Sequence, residues 1–220
     1  MHRRTLMTAA CLALVPGLGS AQGQARDNEL IRAAEAGDAP AVKRLLAQGA
    51  SVNARDARGR TALVAATYGN RVDAARLLIA AGADVNAQDD IRNSAFLLAG
   101  ASGYLEILRL TLAAGADLKS TNRYGGTALI PACHYGHVET VRELLKTKID
   151  VDHVNNLGWT ALLEAVILGD GGPAHTEIVR LLVAAGANVK IADRQGVTPL
   201  EHARQRNYRA IVEILARRPA

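Results

Sequence analysis

The chain is poor in aromatic residues, which make up 3% of its 220 residues. Phe96 and Trp159 are the single members of their types, and five tyrosines complete the set. The hydrophobic fraction is nevertheless 49%, which is enough for a sizeable core and excludes disorder as the default. We therefore expect a core built mainly from Ala, Leu, Val and Ile, a composition that suits close packing of helices.

A hydrophobic run long enough to span a bilayer, about 20 residues, is also lacking at the amino terminus. Arg3 and Arg4 precede a largely apolar run over residues 5–15, and Gly19-Ser20-Ala21 follows it. This order is typical of a cleavable secretory signal peptide. We predict a signal peptide at 1–21, a short linker at 22–27 and a periplasmic protein that meets the membrane only during export. An uncleaved anchor is the competing interpretation, and Sec and twin-arginine export both stay open.

Cysteine is scarce, with Cys11 and Cys133 alone. Because Cys11 lies in the predicted signal peptide, the mature chain would keep one cysteine and could form no internal disulfide. The fold is then expected to depend on packing alone, even in an oxidising compartment.

Strong charge is lacking as well. The net charge of +5 falls to about +3 when Arg3 and Arg4 are removed, and no basic stripe interleaved with aromatics is present. Nucleic-acid binding is therefore not expected. Neither a phosphate-binding G-x-x-x-x-G-K loop, a G-x-S-x-G elbow nor an H-E-x-x-H helix occurs in the chain.

What the chain does contain is an internal repeat. The segment Gly82-Ala83-Asp84-Val85-Asn86 recurs in altered form, and its third position falls at residues 51, 84, 117, 150 and 188. A second marker, typified by Gly59-Arg60-Thr61-Ala62-Leu63, places Thr or Ser at residues 61, 94, 127, 160 and 198. The two markers share a period of 33 residues, with one interval of 38, which indicates a stack of similar units.

Each part of the repeat has a physical role in a pair of helices. Threonines are predicted to cap the first helices by accepting hydrogen bonds from free backbone amides. Glycines are predicted to end those helices in the left-handed conformation. Leucine pairs such as Leu77-Leu78 are predicted to bury the second helices. The capping threonines are Thr61, Thr127, Thr160 and Thr198, and the terminating glycines are Gly69, Gly103, Gly136 and Gly169.

These residues resemble the ankyrin repeat, whose pattern runs G-x-T-P-L-H-x-A-A, then a glycine, then V-x-x-L-L and G-A-D-V-N. The resemblance covers residues 28–220. It implies an all-α solenoid of about six helix-turn-helix units with short β-hairpin loops. The units are predicted at about 28–55, 56–88, 89–121, 122–154, 155–192 and 193–220.

Three departures from the pattern are visible. Other residues, such as Val64 and Leu163, replace the family histidine, and repeat two is displaced by one residue around Gly69. The fifth unit carries five extra residues, predicted to form a protruding loop over residues 170–174 because glycine and proline cluster there.

Residues Cys133, His134 and His137 are the main candidates for chemistry. A structural zinc site needs about four ligands, and no second cluster has ligand spacing. A buried thiol without an activating partner is inert, so a cysteine nucleophile is not expected either. We predict no catalytic residue, no cofactor and no metal, while a metal-binding or enzymatic role centred on Cys133 stays an alternative.

The resemblance implies that partners bind the concave surface formed by the hairpins and the ends of the first helices. Tyr, Trp and Arg are enriched there, as at interface hot spots. The sharpest expectation is a patch in units four and five: Tyr124, His134, Tyr135, Trp159 and Leu168. The full predicted set is Arg58, Arg60, Tyr68, Asn93, Arg123, Tyr124, His134, Tyr135, Trp159, Leu168 and Arg194.

We therefore predict a non-catalytic protein-binding module, monomeric when unbound, that protects, stabilises or inhibits another exported protein. Two specific versions come from resemblance alone: an accessory factor of a periplasmic catalase, and an immunity protein against a secreted toxin. A structural repeat protein that self-associates is a third class.

Overall fold

The computed structural model describes residues 18–217, and every regular element in that range is a helix. The helices are α1 (Leu18–Ala36), α2 (Ala39–Ala47), α3 (Ala62–Tyr68), α4 (Val72–Ala80), α5 (Ala95–Ser102), α6 (Leu105–Ala113), α7 (Leu129–His134), α8 (Val138–Leu144), α9 (Ala161–Ile167), α10 (Pro173–Ala184), α11 (Pro199–Gln205) and α12 (Arg209–Ala216).

The helices form six antiparallel pairs that stack in two layers. The first helices of the pairs, α1, α3, α5, α7, α9 and α11, pack side by side, and the second helices form a parallel row behind them. Each unit therefore packs mainly against its neighbours, as in other solenoids. The predicted six-unit helical solenoid is confirmed over the described residues.

The core lies between the two layers. One leucine of each predicted pair is fully buried, as Leu78 and Leu144 are, while its neighbour is only partly covered. Small residues separate the first helices, as at Gly100, where an added Cβ would lie 2.8 Å from the Cβ of Ala128. Glycine at that position lets α5 and α7 pack together.

The loops between units are tight turns that contain hairpin-type hydrogen bonds. In unit two the amide of Asp56 donates to the carbonyl of Arg60 at 3.0 Å. Neighbouring loops are also joined, since the amide of Asp90 donates to the carbonyl of Arg58 at 3.1 Å. No strand is assigned in residues 18–217, so these loops are hairpins without a regular β-ladder.

Helix capping follows the prediction in three of the four threonines. Thr61, Thr160 and Thr198 accept hydrogen bonds from amides three residues later, and Ser94 does the same in unit three. Thr127 does not, and its buried hydroxyl has no partner.

Pro131 explains the exception at Thr127. The residue at this position in other units donates its amide to the capping residue's carbonyl, as Ala65 does to Thr61 at 2.9 Å. Proline has no N–H, so the carbonyl of Thr127 instead accepts from the amide of Ile130 at 3.3 Å. That amide is the normal partner of the capping hydroxyl, and α7 starts one residue late.

The left-handed helix ends are confirmed at Gly103 and Gly136, whose φ values are 71° and 76°. The prediction for Gly69 was wrong, because its φ is −89° and the next residue, Asn70, has a φ of 51°. Asn70 lies 33 residues before Gly103, so the repeat period is continuous here. Asparagine tolerates this conformation because its short polar side chain bonds locally.

The insertion in unit five was also predicted wrongly. Helix α10 begins at Pro173 and has 12 residues, so part of the insertion lengthens a helix instead of forming a protruding loop. Proline is favourable at a first helical position. The positive φ belongs to Gly171, at 69°, and not to the predicted Gly169. The hydroxyl of Tyr208 donates to the carbonyl of Gly169 at 2.9 Å and ties the turn to unit six.

The first helix extends further towards the amino terminus than expected. Residues 22–27, predicted as a linker, are helical and continue directly into the buried part of α1 at Leu30 and Ile31. Most of the predicted signal peptide, residues 1–17, lies outside the described residues. No helix within 18–217 has the length and apolar character needed to cross a membrane.

Candidate functional site

A groove of about 460 Å³ runs along the concave surface of units two to five. It is formed by the hairpin loops and by the side of the first helices that faces them. The lining residues are Tyr68, Ile91, Asn93, Leu98, Ala101, Asn122, Arg123, Tyr124, Gly126, Ile130, Pro131, His134, Tyr135, Asn155, Leu157, Glu164 and Leu168.

Exposed large hydrophobic side chains are concentrated in this groove. Seven such residues are exposed among those described, and six of them line it: Tyr68, Ile91, Tyr124, Tyr135, Leu157 and Leu168. The seventh, Val154, lies outside it. Scattered single apolar residues are normal on a protein surface, whereas a cluster of this kind marks an interaction site.

Each hairpin starts with an aspartate or asparagine that fixes the turn. In unit five, Oδ1 of Asn155 accepts from the amides of Leu157 and Trp159 at 2.9 and 3.0 Å. The same pair of bonds occurs in every hairpin of units two to six, at Asp56, Asp89, Asn122, Asn155 and Asp193. These turns hold the hairpin side chains in place beside the first helices.

In several units the second polar atom of this residue bonds a side chain nearby. Asn155 donates through Nδ2 to Oε1 of Glu164 at 2.8 Å, and Oδ2 of Asp193 lies 2.7 Å from Nε2 of His202. Oδ2 of Asp89 accepts from the hydroxyl of Tyr68 at 2.8 Å. The polar contacts of the hairpins therefore differ from unit to unit, while the hairpin backbone stays the same.

Glu164 is a buried acid that sequence reasoning missed. Its side chain is 8% exposed, and its second oxygen, Oε2, lies 3.8 Å from Nδ1 of His134. Burial raises the pKa of Glu164 to about 7, against the opposing effect of the hydrogen bond from Asn155. The signal was the nine-residue spacing of Asn155 and Glu164, which recurs as Asp193 and His202.

His134 and Tyr135 form one stacked pair at the end of α7. Their ring centroids are 4.2 Å apart with 13° between the ring planes, and Tyr135 is 59% exposed. Burial, and then the charge of His175, lower the pKa of His134. The imidazole is therefore neutral near neutral pH. Nε2 of His175 lies 2.9 Å from the carbonyl oxygen of His134.

Three predicted binding residues in units two and three are bonded within the fold. Arg60 pairs with Glu35 and Asp56, each at 2.8 Å, and its side chain is only 12% exposed. Tyr68 accepts from Nδ2 of Asn93 at 2.9 Å. Tyr68 and Asn93 line the groove, and a smaller cavity of about 330 Å³ adjoins Arg58, Arg60 and Tyr68.

The predicted patch is brought together except for Trp159. Tyr124, His134, Tyr135 and Leu168 line the groove, whereas Trp159 is half-buried and does not. Arg123 lines the groove with its guanidinium 4.8 Å from the ring centroid of Tyr124.

Of the other two predicted arginines, Arg58 is exposed beside the smaller cavity. Arg194 donates to the carbonyl of Asn156 at 2.5 Å and joins the hairpins of units five and six. Pro131, Asn122 and Ile130 also line the groove and were not predicted.

Cys133 and its neighbouring histidines are not arranged as a metal site or a nucleophilic site requires. The thiol is fully buried, and burial followed by the charge of Glu164 raises its pKa well above the ordinary value. Within residues 18–217, no three His, Cys, Asp or Glu side chains come together as a possible metal site. The thiol packs as a small hydrophobic group.

Comparisons with known proteins agree with this geometry. The family described as ankyrin repeats (3 copies) matches residues 6–89 and 96–193. An ankyrin repeat domain from Acinetobacter baumannii AYE is 58% identical, with a TM-score of 0.83, covering 85% of this chain and 95% of that chain. The ankyrin repeat protein EF0377 is 40% identical, with a TM-score of 0.84, covering 88% and 98%.

A curated relative, the ankyrin repeat protein YahD of Escherichia coli (strain K12), is 44% identical over 52 residues. That match covers 24% of this chain and 26% of YahD, so the two are compared over about a quarter of each. Ankyrin repeats generally mediate protein–protein interaction and are typically non-catalytic. The family match spans most of the chain, and the chain belongs to the ankyrin-repeat family.

Proposed function

We propose that this chain is a non-catalytic module that binds another exported protein in the periplasm and protects, stabilises or inhibits it. The partner is received in the groove of units two to five. One observation supports the proposal above others: six of the seven exposed large hydrophobic side chains among the described residues line that single groove.

The composition of the groove suits a polypeptide partner. Tyr124 and Tyr135 are 52% and 59% exposed, so a partner could bury much of both rings. Tyrosine combines a large apolar face with a hydroxyl that bonds a partner, which is why it is enriched at interfaces. Asn93, Arg123 and His134 add polar groups that orient a bound segment.

The periplasmic location is supported by the charge and hydropathy pattern of residues 1–21. Cleavage before Gln22 is compatible with the fold, because the fully buried residues of α1 begin at Leu30. Cell fractionation and mass determination of the mature amino terminus test this part. Cytoplasmic, uncleaved protein would contradict it.

Affinity capture from periplasmic extract tests the binding role. The bait proteins are the wild type and the groove variants Tyr135→Ser and Leu157→Ser. Val154→Ser is the matched control, because Val154 and Leu157 are both 47% exposed, lie in the same hairpin region and differ in groove contact. Circular dichroism and thermal unfolding verify that all four proteins are folded.

We expect one protein to be retained by the wild type and by Val154→Ser and to be lost by both groove variants. Equal retention by all four proteins would show that the partner binds elsewhere. Equal loss in Val154→Ser would point to a surface beyond the groove. If no protein is retained by the wild type, the proposed function is wrong.

A further inference from the structure

Glu164 lies in the groove without a permanent cation beside it. Its carboxylate is almost fully buried, and the one basic side chain within 4 Å among the described residues is His134, at 3.8 Å. That distance is too long for a hydrogen bond, and the lowered pKa of His134 keeps this ring neutral near neutral pH. A buried carboxylate without a countercharge is energetically unfavourable.

The acid is specific to unit five. The equivalent positions of units two to four hold Ala65, Leu98 and Pro131, none of which carries charge. In unit six the position holds His202, which already pairs with Asp193 at 2.7 Å. Leu98, Pro131 and Glu164 all line the groove, so its surface changes from apolar to acidic at one point.

We infer that Glu164 binds a basic side chain, Arg or Lys, of an extended partner segment whose flanking residues are apolar. The inference rests on the proposed function and assigns the partner's chemistry. Oε1 of Glu164 is held by Asn155, which leaves Oε2 to accept from a guanidinium or ammonium group. A cation supplied by the partner removes the unfavourable burial of an uncompensated charge.

The surroundings of Glu164 suit the stem of such a side chain. Tyr135, Leu157 and Leu168 line the same groove and present apolar surface to the methylene groups of Arg or Lys. The guanidinium of Arg123 lies 4.8 Å from the ring centroid of Tyr124, and a guanidinium of the partner can make the same kind of contact with an exposed tyrosine ring such as Tyr135. The charged head and the apolar stem thus find separate partners.

Peptide pools test the inference directly. Each pool has one fixed central residue, which is Arg, Lys, Gln, Leu or Glu. The flanking positions carry the same mixture of residues in every pool. Binding is measured by fluorescence anisotropy with the wild type, Glu164→Gln and the control Glu213→Gln. The control makes the same change from glutamate to glutamine at an exposed position outside the groove.

We expect the wild type and Glu213→Gln to bind the Arg or Lys pool more tightly than the Gln, Leu and Glu pools. Glu164→Gln should bind the basic pool at least about 30-fold more weakly than the wild type does, and its affinity for the Leu pool should be unchanged. Gln can still accept from Asn155, so this variant is expected to fold, as unfolding curves would verify.

Equal binding of basic and neutral pools, or an unchanged preference in Glu164→Gln, would overturn the inference and leave the proposed function standing. The inference would also be overturned, with the proposed function still standing, if no pool bound while the periplasmic partner was still retained through the groove. Failure of both experiments would reject the two together.

Discussion

The side-chain amide of Asn155 donates a 2.8 Å hydrogen bond to Oε1 of Glu164, joining the hairpin of unit five to its first helix at the groove. This bond favours the ionised carboxylate, yet burial has the larger effect and raises the pKa of Glu164 to about 7. The pair therefore couples the protonation of the groove to the stability of the fold.

The pH dependence of stability follows from that shift. The folded-state pKa of about 7 exceeds the ordinary value of 4.5, so the folded chain binds more protons between those pH values. The stabilisation that comes from this proton on Glu164 is therefore complete below about pH 4.5 and is lost as the pH rises through about 7. As the pH rises from about 4 to 8, we expect the free energy of unfolding of Glu164→Gln to increase by up to about 3 kcal/mol relative to that of the wild type.

Urea unfolding of both proteins at several pH values measures this difference. Because all other titrating groups are shared, subtraction isolates residue 164. A constant difference across the range would show that the pKa of Glu164 is not raised.

Restoring the amide at residue 131 is expected to repair the start of α7. In Pro131→Ala the new N–H can donate to the carbonyl of Thr127, which frees the amide of Ile130 for the threonine hydroxyl. We expect a gain of about 1 kcal/mol in the free energy of unfolding. A double-mutant cycle with Thr127→Val checks the mechanism: the valine change should cost about 1 kcal/mol only in the alanine background. Additive effects would contradict it.

Asn70 is expected to tolerate glycine but not alanine. Its φ of 51° lies in the left-handed region, which costs an alanine about 1 kcal/mol. Asn70→Gly should be equal to or more stable than the wild type, and thermal unfolding measures both. Equal effects of alanine and glycine at residue 70 would be inconsistent with the structure.

Arg60 is expected to affect folding more than partner binding. Its guanidinium joins Asp56 of its own hairpin and Glu35 of α1, and the side chain is largely covered. Arg60→Ala should lower the free energy of unfolding by about 1 kcal/mol, and Arg60→Lys should not restore it, since lysine cannot make the same fork of bonds. Arg58→Ala, on an exposed neighbour, is the control. Unchanged stability in Arg60→Ala would contradict this assignment.

Much of the fold could be predicted because the repeat is local. Capping residues such as Thr61 and leucines such as Leu78 occupy the same place in each unit, so spacing alone located the helices and core. The errors arose where one residue changed the local backbone. Pro131 removed an amide, Asn70 took the place of a glycine, and Pro173 started a helix inside the insertion.

The binding face was predictable only in part. The exposed hairpin and helix-end positions Tyr124, Tyr135 and Leu168 follow from the repeat, and the structure places them in one groove. The predicted Trp159 lies outside that lining, and Arg60 is bonded within the fold. Whether these residues contact a partner stays a prediction.

The sequence by itself determined the period, the helix order and the buried leucines, because in a stacked array each unit packs against neighbours of known pattern. Only the tertiary structure decided the character of Glu164 and the extent of the groove. The groove combines residues from four units, and the pKa of a carboxyl group depends on how far neighbouring side chains exclude water from it. Neither quantity is a property of one repeat.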